Sequence, residues 1–236
     1  MAQPVRISLS IRSLERALTI LFALSVGLAI IAWAVAYLGD EYSAGGFVLQ
    51  FSYDYEENVQ TWYAALLLLA CSVALFFISR QAKAEGERFA RRWFILGLIF
   101  LYIATDEMAV IHELINGIWL DGYKVSGFFF FMWIYPAAAL LVVFAVAYWR
   151  FFWALPAGIR GRVAAAGLIF VGGALGTEIP LGLWAAAHGY ESWIYGAIQT
   201  VQESLELAGV SLFLAALLRH LARGRARVTI SVAGED

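Results

Sequence analysis

The chain has 236 residues, of which 62% are hydrophobic and 14% charged, with a formal net charge of −2. A soluble domain of this length needs far more polar surface, so the composition excludes one, and the near-neutral charge implies no nucleic-acid partner. The expectation is an all-α protein, a single six-helix transmembrane bundle with both termini cytoplasmic, in a bacterial inner membrane.

A hydrocarbon core of about 30 Å takes roughly 20 helical residues to cross. The first run of that length covers residues 17–38, after Arg6, Arg12 and Arg16. It is too long for the core of a secretory signal, typically about 7–15 residues, so it reads as an uncleaved span despite Ala34-Val35-Ala36. The following loop is acidic (Asp40, Glu41, Asp54, Glu56, Glu57), and its alternating Phe47, Leu49, Phe51, Tyr53 and Tyr55 suggest a short strand or an aromatic flap on the outer interface. The second span, 61–79, holds the lone Cys71, read as packing. Arg80, Lys83, Arg88, Arg91 and Arg92 separate it from the third span, 93–116.

The fourth span, 127–148, precedes Arg150, Arg160 and Arg162; the fifth, 163–187, and the sixth, 196–218, precede the basic tail with Arg219, Arg223, Arg225 and Arg227. Every basic loop falls on one side, the cytoplasm, and only Lys124 lies on the other. Trp62, Trp93, Trp119, Trp149, Trp153 and Trp193 fall near span ends, as an interfacial belt should.

Polar residues inside the spans carry the chemistry. The third helix holds Asp106, Glu107, His112 and Glu113; the fifth Gly172, Gly176, Thr177, Glu178 and Pro180; the sixth Gln199, Gln202, Glu203 and Glu206. One acid at a helix centre costs about 3 kcal/mol on the mildest scale, and no Lys or Arg lies within a span to pair with six of them. Such a sum exceeds a net stability of roughly 5–15 kcal/mol, so cations or protons must neutralise the charge. At about 100° per residue, Asp106 and Glu113 share one face of a continuous helix, and Gln199, Gln202, Glu203 and Glu206 form one stripe. Gly172 and Gly176 suit close helix approach, and Pro180 interrupts the fifth helix beside Glu178. The acids rise from the midplane to the outer face above dry cytoplasmic halves, which predicts access from outside. His188 falls at the outer end of the fifth span, and His220 in the basic tail.

The segments DEMAVIHE (106–113) and QESLELAG (202–209) resemble a pattern in uncharacterised bacterial multi-span membrane proteins that carry a DExxxxHE helix; the resemblance brings no known function. Intramembrane zinc hydrolases of the ceramidase and progestin-receptor type place a His pair four apart in the last helix, where this chain has Glu203 and Glu206. A ferritin-like di-iron site needs two Glu-x-x-His motifs, and there are none.

The leading expectation is a metal-dependent membrane-embedded hydrolase acting on a lipid or lipid-linked substrate among membrane lipids. Asp106, His112, Glu203 and Glu206 would hold a divalent ion, Zn, Mn or Fe before Mg or Ca, with Glu113 or Glu178 as the base. Glu107, Thr177, Gln199 and Gln202 would support them. The alternative is a cation or proton transporter using the same acids, and the third reading is a structural or assembly subunit.

Overall fold

The apolar runs become helices because only a helix satisfies its own backbone polar groups where no water can. The computed structural model describes residues 5–111, 131, 133–222 and 227–232. In chain order these are strand β1 (Val5–Ser10), helix α1 (Ile11–Leu38), a 3-10 turn (Ala44–Gly46) with the short helix α2 (Phe47–Phe51), then α3 (Val59–Ala84) and α4 (Ala90–Ala109). After these come α5 (Ile134–Ala154), α6 (Ala157–Val171), a π-helical turn (Gly172–Gly176), α7 (Glu178–His188), α8 (Trp193–Ala222) and strand β2 (Arg227–Val232).

Five helical units are long and apolar enough to cross a membrane: α1, α3, α5, the unit Ala157–His188 and α8. Helix α4 is 20 residues long, but Arg91, Arg92, Asp106 and Glu107 make it more polar than these. It packs antiparallel along α3: Ser72 Oγ donates to the Gly97 carbonyl at 2.8 Å, and Ser79 Oγ to the Ala90 carbonyl at 2.9 Å. The core lies where α3, α4 and α8 meet, around Cys71, Leu75, Ile78 and Leu217. Cys71 is buried there as packing.

Local signals set the boundaries. Asn58 caps α3 by accepting from the Gln60 and Thr61 backbone amides. Helix α5 runs to Ala154, past the expected end at 148, because only at Leu155 does a following proline force extended backbone, with ψ of 143°. The alternating aromatics of the first loop do not form a strand: Phe47–Phe51 is one helical turn, with Phe47 against Phe51. Of the expected tryptophan belt, Trp62, Trp149, Trp153 and Trp193 are exposed, whereas Trp93 is buried against Phe151 and His220. Trp119 lies outside the described residues. His220 thus packs on a ring rather than standing free in the basic tail.

The chain ends meet. β1 pairs antiparallel with β2, in a register from Val5↔Val232 to Ser10↔Arg227 that sets apolar positions opposite apolar ones. Beside this ribbon Arg219 of α8 forms a two-bond ion pair with Glu15 of α1. At the other end of these helices Trp33 Nε1 donates to the Trp193 carbonyl.

Glycines let α6 and its π turn lie against α8, though not the pair expected. Gly172 and Gly176 face open space. The close contacts are at Gly173, where an added Cβ would come within 3.0 Å of Gln202, Leu205 and Glu206, and at Gly209, 2.7 Å from Phe170. Backbone atoms stand behind the Gly209 contact, so the neighbour cannot yield by a rotamer change. Gly209→Ala is therefore expected to lower detergent-solubilised stability by about 1–3 kcal/mol, whereas Gly172→Ala leaves it nearly unchanged. Thermal melting checks this; equal effects at the two positions would contradict it.

Candidate functional site

The polar residues of the bundle interior meet in one cavity of about 260 Å³. Helix α8 supplies its longest wall, with Gln199, Gln202, Glu203 and Glu206 at the three- and four-residue spacings that share a helix face. From α4 come Asp106 and Glu107, and α7 adds Glu178 in its first turn. The loop before α3 contributes Tyr53, Tyr55 and Glu56, and α3 itself adds Gln60 and Thr61. The cavity therefore sits at the end of the helices opposite the β ribbon. Leu68, Ile103, Phe170, Leu207 and Val210 form its apolar part.

Six carboxyl groups line this space: Glu56, Asp106, Glu107, Glu178, Glu203 and Glu206. No Lys or Arg is among the described residues that do so. Glu203 lies in the field of Glu206, Glu107, Glu178 and Glu56. Glu178 is the most firmly held: it is 5% exposed, accepts from Gln202 Nε2 at 2.7 Å and accepts from Trp133 Nε1 at 3.2 Å. These two donors fix its orientation.

The π turn explains how Glu178 reaches the cavity. It inserts an extra residue into the helical ladder ahead of Glu178, so the helix restarts in a new phase with Pro180 in its first turn, where proline is tolerated. Thr177, expected to support the site, instead turns its hydroxyl back to the Gly173 carbonyl at 2.6 Å.

The third-helix pattern is only partly realised. Helix α4 ends at Ala109 because Val110 adopts a left-handed conformation with φ of 51°. The continuous helix that would align Asp106 with Glu113 is therefore absent, and His112 and Glu113 lie outside the described residues. Among the described residues, no group of three or more His, Cys, Asp and Glu could hold a metal ion. His188 stacks on Trp184 at 4.0 Å, beyond the residues that line the cavity.

A model of the family described as "Domain of unknown function (DUF8692)" matches residues 17–221, nearly the whole chain and every element of the cavity. The chain belongs to the DUF8692 family. No curated protein and no solved structure matches it.

In this DUF8692 chain the cavity has a roof that the sequence reading missed. Gln60 Nε2 donates to the carbonyls of Ser25 and Phe51, Ser25 Oγ donates to Gln60 Oε1, and the Tyr53 hydroxyl joins Ser25 Oγ at 3.0 Å. Asn58 Nδ2 is shared among the carbonyls of Leu49, Ser52 and Tyr55. Gln199 Nε2 reaches from α8 to the Tyr53 carbonyl at 2.8 Å. Glutamines and asparagines placed between acidic and aromatic residues were the available signal, since a buried amide must find partners.

Burial pushes the Tyr53 phenol up to about 12. It also holds the Asp54 carboxyl above the usual carboxylate range, although the hydrogen bond from the Tyr37 hydroxyl at 2.9 Å opposes this. The folded chain thus binds the Asp54 proton more tightly than the unfolded chain does. Its stabilising effect is full below the ordinary carboxylate value and is lost as pH rises through the raised one. Asp54→Asn, which still accepts from Tyr37, is expected to flatten the fall in melting temperature over that window and to melt above the wild type at neutral pH. A variant with the wild-type pH profile would contradict this.

Proposed function

We propose that this protein spans a bacterial inner membrane six times with both termini cytoplasmic, captures a cation from the outer side, and acts as an enzyme there. Pairing of β1 with β2 and of Glu15 with Arg219 supports an even number of crossings, with α4 as the sixth. Basic residues crowd the ribbon end, and the acidic loop covers the cavity end, in keeping with the positive-inside rule.

The observation that carries the functional reading is the lining: six carboxyl groups converge on one cavity, and the described residues that line it include no Lys or Arg. Charges this close repel strongly in a medium of low dielectric, so a bound cation stabilises all of them together. Hydrolysis of a lipid or lipid-linked substrate is the reaction proposed. Glu203 is at the centre of the acids, in the field of Glu206, Glu107, Glu178 and Glu56. A divalent ion would supply activation of water, with Asp106, His112, Glu203 and Glu206 the residues proposed to hold it, a set that the described residues do not complete by themselves.

A carrier built on the same acids would need a second opening toward the ribbon end. There Phe100 stacks on Phe213 with ring centroids 4.9 Å apart, and Leu75, Ile78 and Leu217 are buried beneath them. In a Cys71→Ala background, Gln199→Cys is expected to react with an impermeant thiol reagent from outside, and Phe213→Cys to stay unreactive from the cytoplasmic side under any gradient. Labelling of Phe213→Cys that switches on with a proton or metal gradient would replace the enzyme with a transporter.

A further inference from the structure

The buried amides restrict which cation the cavity fits. Gln202 is 8% exposed, and its Nε2 donates to Glu178, so its Oε1 is directed elsewhere; Gln199 Nε2 likewise donates to the Tyr53 carbonyl. A backbone carbonyl only accepts, so the Gln199 amide cannot be flipped without losing its bond, and the Gln202 amide is held the same way wherever Glu178 is ionised. Both Oε1 atoms are buried and have no hydrogen-bond partner among the described residues. An orphaned buried acceptor costs about 1–3 kcal/mol, and two on successive turns of the wall that carries Glu203 and Glu206 call for a ligand that donates.

The remaining lining narrows the class. The volume of about 260 Å³ far exceeds that of one bare ion. Tyr53, Tyr55, Trp133 and Tyr195 bring aromatic rings to the same cavity, and such rings attract organic cations. A quaternary ammonium would suit the rings but has no N–H for the amide oxygens. A primary ammonium satisfies both, having three donors and a full charge.

We propose that the cavity recognises a primary ammonium group, carried either by an aminophospholipid headgroup or by a free polyamine. Gln199 and Gln202 read its N–H bonds, and Glu203 with its neighbours balances its charge. The proposal rests on the cation-capture reading and names the substrate class for it.

The test measures thermal stabilisation and calorimetric binding with the full chain in detergent, using putrescine, spermidine, tetramethylammonium and magnesium. A parallel arm compares nanodiscs of phosphatidylethanolamine with nanodiscs of phosphatidylcholine. The expected result is stabilisation by the primary amines or by phosphatidylethanolamine, the responding arm identifying the source, with no response to tetramethylammonium. Gln202→Leu is expected to weaken binding about tenfold or more; Gln199→Met provides the same reading should the first variant fail to fold. Equal binding of tetramethylammonium, or unchanged amine binding in both variants, would overturn the proposal. Magnesium binding without amine binding would overturn it and leave cation capture standing. No binding of any probe in either arm would remove both.

Discussion

Six carboxyl groups that line one cavity, with no Lys or Arg among the described residues lining it, set the terms for the rest of the molecule. The acids on α4, α7 and α8 are carried by helices that share one cavity with the apolar Leu68, Ile103, Phe170, Leu207 and Val210, so none can move away without disturbing that packing. Their mutual repulsion grows as the dielectric falls, and a protein's small net stability cannot absorb it unaided. The packing on either side of the acids is firm, and the proposed cation would balance their charge.

The firmness is visible in the elements around the site. Below it, Ser72 and Ser79 bond α3 to backbone carbonyls of α4, and Gly209 brings α8 onto the backbone of Phe170. Above it, Gln60 and Asn58 fix the loop through side-chain bonds to backbone carbonyls, and Ser25 Oγ donates to Gln60 Oε1. Between these two layers the π turn rotates Glu178 into line with Gln202. The DUF8692 match over residues 17–221 covers all three layers, so the cavity belongs to the family's shared chain segment rather than to an appended one.

The sequence made the α8 stripe legible because helix periodicity alone places Gln199, Gln202, Glu203 and Glu206 together, and it located Glu178 through the nearby proline. It failed where backbone departs from periodicity. Val110 in the left-handed region ends α4 early, and nothing in a β-branched residue announces that conformation. The helical turn at Phe47–Phe51 was hidden by an alternation of aromatics that mimics a strand. The ribbon between Val5–Ser10 and Arg227–Val232 escaped notice because its two strands are separated by the whole chain. Close approach at Gly173 and Gly209, rather than at Gly172 and Gly176, depends on helix phase after the π turn, which spacing cannot supply.

If unbalanced charge governs this interior, removing one unit of it must help the empty protein. The direct measurement is the thermal stability of Glu203→Gln against wild type, in detergent at mildly alkaline pH, stripped of amines and divalent ions. The account predicts a higher melting temperature for the variant, and a smaller gain in stability than the wild type's when a binding cation is restored. A variant that melts below the wild type in the absence of every cation would contradict it, because Glu203 would then be satisfied by the protein alone.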